Sequence, residues 1–211
     1  MYEPPHFVEN RQEVLAALIE RHPLGMLVTV EGDVPVANPL PFLLDWPAGC
    51  PGRLLAHMAR SNTQWQGLAR GGRALVIFQG EQAYVSPSWY PTKAETGKVV
   101  PTWNYCMVQV RGRVTLHHDE AWLQRQIGAL TDRHEQGRNL PWAVGDAPAR
   151  FLEMQMRAIV GLEIEIDEIH GKWKASQNRP LPDRLGVVGG LAAENEAMAG
   201  TVASYLPAAE G

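Results

Sequence analysis

Residues 107–116, MVQVRGRVTL, alternate without a break: Val108, Val110, Val114 and Leu116 fall on one face, and Gln109, Arg111, Arg113 and Thr115 on the other. A period of two over that length predicts a strand with one buried and one solvated face. LEIEIDEI at 162–169 repeats the pattern, with Leu162, Ile164 and Ile166 inward and Glu163 and Glu165 outward. LGMLVTVEGDVPVANPLPFLLD reads as two strands joined at Glu31-Gly32-Asp33, RLLAHMA and RALVIFQG as two more, and QAYVSP as a brief one. Pro39 and Pro41 remove ladder donors, so that strand belongs at an edge or a bulge. Helices are expected at NRQEVLAALIERHP, capped by Asn10 with Glu13, at SNTQWQGLARGG, and at two segments between the alternating strands, the first capped by Asp119. About seven short antiparallel strands with helices at the ends suit a closed or partly split barrel better than a doubly wound sheet.

SPSWYPTKAETGKVVPTWNY, residues 86–105, holds three prolines, two tryptophans and two tyrosines beside Lys93 and Lys98. That density argues against a helix, and a long connection in a compact domain is functional or disordered. Its rings argue for a binding loop. The alternative is that they pack inside one subunit.

The 19 basic and 23 acidic residues give a net charge of −4, the wrong sign for gripping nucleic acid by bulk electrostatics. Cys50 and Cys106 have no CxxC partner and read as reduced structural thiols. No stretch reads as a signal peptide or a membrane span, so a cytoplasmic protein is expected. One domain is expected over residues 1–190, and residues 191–211 read as a Gly/Ala-rich tail, weakly helical and partly disordered.

Two segments carry candidate chemistry. In HMARSNTQW, Ser61 and Gln64 stand at capping-box spacing, so a helix is expected to open beside Arg60. A phosphate there would meet unpaired backbone N–H groups, Arg60, and the side chains of His57, Ser61 and Asn62. The alternative is an ordinary cap with a solvated arginine. In GKWKASQNRP, residues 171–180, Lys172, Lys174 and Arg179 surround Trp173, with Gln177 and Asn178 following. Cations, amides and a ring suit a flat anionic ligand, and a solvated basic turn is the competing reading. The chain is expected to leave the barrel wall near Ile169, where the alternation ends. His117-His118-Asp119-Glu120 resembles metal chemistry, but adjacent side chains on a strand diverge and no second cluster supports a metal site.

MYEPPHF, PLPFLLD, HMARSNTQW, FQGEQAYVSPSWYPTKAETGKVVPTWNY, LTDRHE and AIVGLEIEI…GKWKASQNRP together resemble the PaiB-like family of FMN-binding negative transcriptional regulators, over residues 1 to about 190. The resemblance implies a mainly β (α+β) fold, a split antiparallel β-barrel of the FMN-binding type with peripheral helices, working as a homodimer with FMN at the subunit interface. It implies a phosphate near His57–Asn62. On this reading His57, Arg60, Ser61, Asn62, Trp103, Trp173, Lys174 and Gln177 hold the cofactor, and Trp89, Tyr90, Trp103 and Tyr105 cover it and the partner subunit. No catalytic residue is singled out. Expected partners are a second copy of the chain and the flavin. Neither direct DNA binding nor a membrane is expected. The competing function is a flavin-dependent oxidoreductase related to pyridoxamine-phosphate oxidases and flavin reductases, with regulation indirect.

Overall fold

The computed structural model describes residues 1–47, 50–69 and 71–208. In chain order these form β1 (Val8–Glu9), α1 (Gln12–Arg21), β2 (Leu24–Glu31), β3 (Val34–Pro41), β4 (Leu43–Asp45), β5 (Arg53–Ala59), α2 (Gln64–Leu68), β6 (Arg73–Val85), α3 (Thr92–Thr96), β7 (Thr102–His117), α4 (Glu120–Glu135), α5 (Ala149–Arg157), β8 (Ile159–Lys174), α6 (Leu181–Glu194) and α7 (Glu196–Ala203). They fall into two compact units, residues 16–78 with 109–169, and residues 1–15 with 79–108 and 170 onward.

In the larger unit the strand order is β3-β2-β6-β7-β8-β5-β4. β3 and β4 stand at opposite ends of that order, yet only Phe42 separates them in the chain. A sheet whose two ends are one residue apart must curl back on itself, and β3 also touches β5. This is the barrel geometry that closes sheet edges. Its interior holds Leu27, Phe42, Leu54, Met58, Val76, Phe78, Val110, Leu162 and Ile164, all buried, with Phe42 and Phe78 edge-on at 5.7 Å between centroids. The alternation read from the sequence sets these faces directly. Pro35, Pro39 and Pro41 of β3 pair opposite Val30, Met26 and Leu24 of β2, two or four residues apart. Sharing one parity, they put their missing donors on the same side, as an edge strand tolerates.

Helix α4 begins at Asp119, whose carboxylate accepts from Trp122 N at 2.8 Å. It lies on the outward face of β5 and β8. Trp122 packs there because residue 161 is glycine: a Cβ at Gly161 would stand 2.2 Å from the indole.

In the smaller unit β1 pairs antiparallel with the end of β8, Val8 opposite Lys172 and Glu9 opposite Gly171. β8 therefore does not leave the sheet near Ile169, because β1 supplies the ladder partner that carries it to Lys174. RALVIFQG and QAYVSP likewise form one strand, β6. Residues 86–105 also differ from expectation, since a 3-10 turn at Pro87–Trp89 and the five-residue α3 follow each other there. Pro91 sits just before α3, where it costs no helical hydrogen bond.

The Gly- and Ala-rich stretch expected to be weakly helical forms α6 and α7, with Val187, Leu191, Met198, Ala199 and Val202 buried. Residue 190, the expected boundary, lies within α6, and the last residues of the expected tail, 209–211, lie outside the described residues. Tertiary packing overrides the low propensity. Gly186 and Gly190 leave a notch in α6 that Trp89 fills, and a Cβ at Gly190 would stand 2.2 Å from its ring.

Candidate functional site

The sequence-predicted residues fall into two groups, one in each unit. In the larger unit the outward side chains of β5 face α4. His57 Nδ1 lies 2.8 Å from Gln126 Oε1, and Gln126 is buried with no hydrogen-bond partner for its Nε2. Beside them His117 stacks flat on Trp122, centroids 4.1 Å apart, and its Nε2 lies 3.1 Å from Glu163 Oε2.

At the end of β5 the chain turns, Asn62 N donating to Ala59 O at 2.9 Å. Arg60 is held on all sides. Its backbone N donates to Ala158 O at 2.8 Å, its Nε to Arg157 O at 3.0 Å and its Nη2 to Ile159 O at 2.8 Å. Nη1 lies 3.3 Å from His118 Nδ1, and Trp65 Nε1 donates back to Arg60 O at 3.0 Å. The guanidinium expected to stand free for a phosphate therefore caps the carbonyls at the end of α5, and Nη1 is its one nitrogen not committed to a carbonyl. The capping box is also corrected. Asn62 Oδ1, not Ser61, accepts from Gln64 N at 3.1 Å, and Ser61 is exposed. Gln64 turns into the barrel, where Nε2 donates to Leu27 O, Thr29 Oγ1 and Val36 O, and Oε1 accepts from Asn38 Nδ2 at 2.9 Å. A glutamine that reaches the core cannot also reach back to Ser61. Helix α2 is five residues long, so its dipole is slight.

The second group lies in the smaller unit. Trp173 is 5% exposed, so its ring packs in the core rather than offering a stacking face. Gln177 folds onto its own backbone, Nε2 donating to Trp173 O at 2.7 Å and Oε1 accepting from Ala175 N at 2.8 Å. Both amide functions meant for a flavin are engaged locally. Lys174 Nζ donates to Thr102 Oγ1 and Trp103 O, so Lys174 and Trp103 do come together. Burial, then Lys172 and Arg179, hold the Lys174 ammonium below the usual lysine range. Of the four rings in the 86–105 segment, Tyr90 is buried under the Arg179 guanidinium at 4.8 Å, Tyr105 lies beneath Lys172 at 5.4 Å, and Trp89 fills the α6 notch. Trp103 is 53% exposed, edge-on to Tyr84.

Two features escaped sequence reasoning. Glu9, 4% exposed, accepts from Arg11 Nε at 2.9 Å and from Tyr205 Oη at 3.0 Å. Nothing in the sequence links positions 9 and 205. Asn104 and Ser176, both buried, bond to each other at 2.9 Å, and Ser176 has φ +62°, the one positive φ outside glycine among the described residues. Neither Cys50 nor Cys106 forms a disulfide, and no three His, Cys, Asp or Glu side chains come together to hold a metal among the described residues. His117 and His118 turn to different partners, Glu163 and Arg60. No helix among the described residues is long and apolar enough to cross a membrane.

Among solved structures, the chain is similar to the FAD- and heme-binding protein of Mycobacterium smegmatis (22% identity, 79% of this chain and 73% of that one, TM-score 0.58). It is also similar to the flavocytochrome Anf3 of Azotobacter vinelandii (19% identity, 79% and 69%, TM-score 0.57). At that identity the likeness shows the fold, the split-barrel class expected from the sequence. Among curated proteins, the protease synthase and sporulation protein PAI 2 of Bacillus subtilis is 30% identical over 207 residues, 98% of this chain and 96% of that one. An uncharacterized protein of Emericella nidulans is 34% identical over 231 residues, covering 90% of each. Residues 1–168 match the family described as "Putative FMN-binding domain", a span that takes in His57–Asn62 and Trp103 and stops before Trp173, Lys174 and Gln177. The chain therefore belongs to this FMN-binding-domain family, as a relative of PAI 2.

Proposed function

We propose that the protein binds FMN as a homodimer, and that FMN occupancy underlies a PaiB-type negative regulatory role. The observation that carries the reading is the family match over residues 1–168, which includes the turn built by Arg60, Ser61 and Asn62. That turn fits a phosphate in a way different from a free arginine. Its path is fixed by the Arg60 bonds to three carbonyls, which leaves Arg60 Nη1, the exposed Ser61 hydroxyl and Asn62 Nδ2 as donors. Pre-ordered donors lose little entropy on binding.

The dimer rests on β2. Leu27 faces the barrel interior, while on the opposite side Leu24 and Val30 are 65% and 63% exposed. A strand apolar on both faces is the signature of one covered on both.

A second reading, a flavin-dependent oxidoreductase with indirect regulation, is favoured by one observation. The outward arginines that would form a basic stripe are paired with acids: Arg73 with Asp167, Arg111 with Glu168, Arg113 with Glu165 and Arg53 with Glu163. That leaves little free positive charge for a DNA backbone.

Titrating the protein with FMN while following flavin fluorescence, alongside sedimentation, tests the main reading. Saturable quenching and a dimer are expected. A monomer that leaves FMN fluorescence unchanged overturns it. A specific complex of the pure protein with promoter DNA in a gel shift would favour direct repression, and NAD(P)H oxidation dependent on FMN would favour the enzyme.

A further inference from the structure

In the smaller unit a pocket of about 50 Å³ is lined by Thr102, Asn104, Lys174, Ser176, Asn178 and Arg179. A water molecule needs roughly 10–15 Å³ of such space. The pocket therefore holds on the order of three to five heavy atoms, the size of a carboxylate or phosphate group and far short of a flavin ring system. We infer that this pocket is an oxyanion site, taking the carboxylate or phosphate group of a small molecule between Lys174 and Arg179.

Three independent features support it. The first is charge. Lys174 and Arg179 line the pocket, and neither forms an ion pair with a carboxylate among the described residues. Asp183, close by in sequence, directs both its oxygens to Thr92, at N and Oγ1. Two unneutralised cations held together in a partly buried place call for an anion. The second is construction. Asn104 is fully buried and Ser176 is 3% exposed, and their mutual hydrogen bond fixes two polar side chains in the pocket wall. The third is the backbone. Ser176 holds a left-handed conformation with φ +62°, costly for a side chain other than glycine or asparagine, and such strain gathers where a loop is shaped around a ligand. The lowered proton affinity of Lys174 agrees with an ammonium that lacks its counterion.

The site does not depend on the FMN reading, because it can be measured without flavin. The probes are inorganic phosphate and acetate, titrated at constant ionic strength into the flavin-free full chain and followed by ³¹P line width and by calorimetry. One saturable site per chain is expected, with affinity reduced about tenfold or more in Lys174→Met and in Arg179→Gln, the scale of one charged hydrogen bond. Arg138→Gln, at an exposed position outside the pocket, should bind as the parent does. Asn178→Asp keeps the volume of an exposed side chain and places a carboxylate at the rim. It should abolish anion binding with the fold intact, which guards against variants that fail to fold.

Competition identifies the source of the group. Displacement of phosphate by FMN but not by riboflavin assigns the pocket to the cofactor's own phosphate, and no displacement by either assigns it to a second ligand. Failure of both anions to saturate at millimolar concentration, or equal binding by the parent and Asn178→Asp, overturns the inference.

Discussion

The Tyr205 hydroxyl donates to the Glu9 carboxylate across 3.0 Å, joining residues 196 positions apart in the sequence. Burial alone would raise the Glu9 carboxyl, but the hydrogen bonds from Arg11 and Tyr205 outweigh it and hold the carboxyl below its usual range. A carboxyl lowered in the folded state adds stability that is complete above its unfolded pKa and is lost as pH falls through the folded one. Tyr205→Phe should therefore destabilise the protein by about 1.5–3 kcal/mol at neutral pH, the range for a hydrogen bond to a charged group. The difference from the parent should shrink in acid. Urea unfolding at a series of pH values checks both, and a difference independent of pH would show that Glu9 is not the partner that matters.

Lys174 has the opposite linkage. Its folded pKa is lowered, so between that value and the ordinary lysine pKa the unfolded chain binds more protons, and stability rises with pH across that window. Lys174→Met removes the charge while keeping the stem, and should flatten this rise. Thermal unfolding from neutral to alkaline pH measures it. An unchanged slope in the variant would place the titration elsewhere.

Ser61 is exposed and its side chain makes no hydrogen bond among the described residues, so Ser61→Asp should leave stability unchanged. A carboxylate at the proposed phosphate position repels the ligand and removes a donor, so FMN affinity should fall at least about tenfold. Arg60→Ala is a poorer probe of binding, because it strips the caps from Arg157 O and Ile159 O and should lower stability as well. Fluorescence titration paired with thermal unfolding separates the two outcomes.

Gln64 makes four side-chain hydrogen bonds at 1% exposure. Gln64→Leu matches it in bulk but strands the amide of Asn38 and the hydroxyl of Thr29. A loss of about 1–3 kcal/mol is expected, the cost of leaving a buried polar group unpaired. Chemical denaturation measures it, and a neutral effect would mean that water replaces the amide.

If β2 is the subunit contact, Val30→Lys should shift sedimentation toward monomer without loss of the folded signal in circular dichroism. Val30 is largely exposed in the single chain, so a lysine there reaches solvent. A dimer that persists would move the interface off this face.

The barrel was legible because its strands carry their burial in their period: Val108, Val110, Leu162 and Ile164 point inward as the alternation requires. Asp119 was legible as a cap because capping is local. What the sequence hid are choices made by partners distant in the chain. Gln64 has the spacing of a capping box, yet β2 and β3 offer it better acceptors inside the barrel. Arg60 looks free until α5 returns its carbonyls to it. The basic run at 172–179 reads as a turn because nothing local reveals that β1 extends the sheet there. The glycines of α6 read as weakness until Trp89 is seen to occupy the space they leave.

That last contact sets how the smaller unit can come apart. A helix with glycines at 186, 189 and 190 has little stability of its own, and the segment before α3 has too little regular structure to hold itself. Each is ordered by the other, through the Trp89 indole and the two hydrogen bonds from Thr92 to Asp183. Amide hydrogens of α6 and of residues 86–96 should then exchange through a single shared opening, at one common free energy, rather than by independent fraying. A protease cutting in either segment would find both exposed at the same moment.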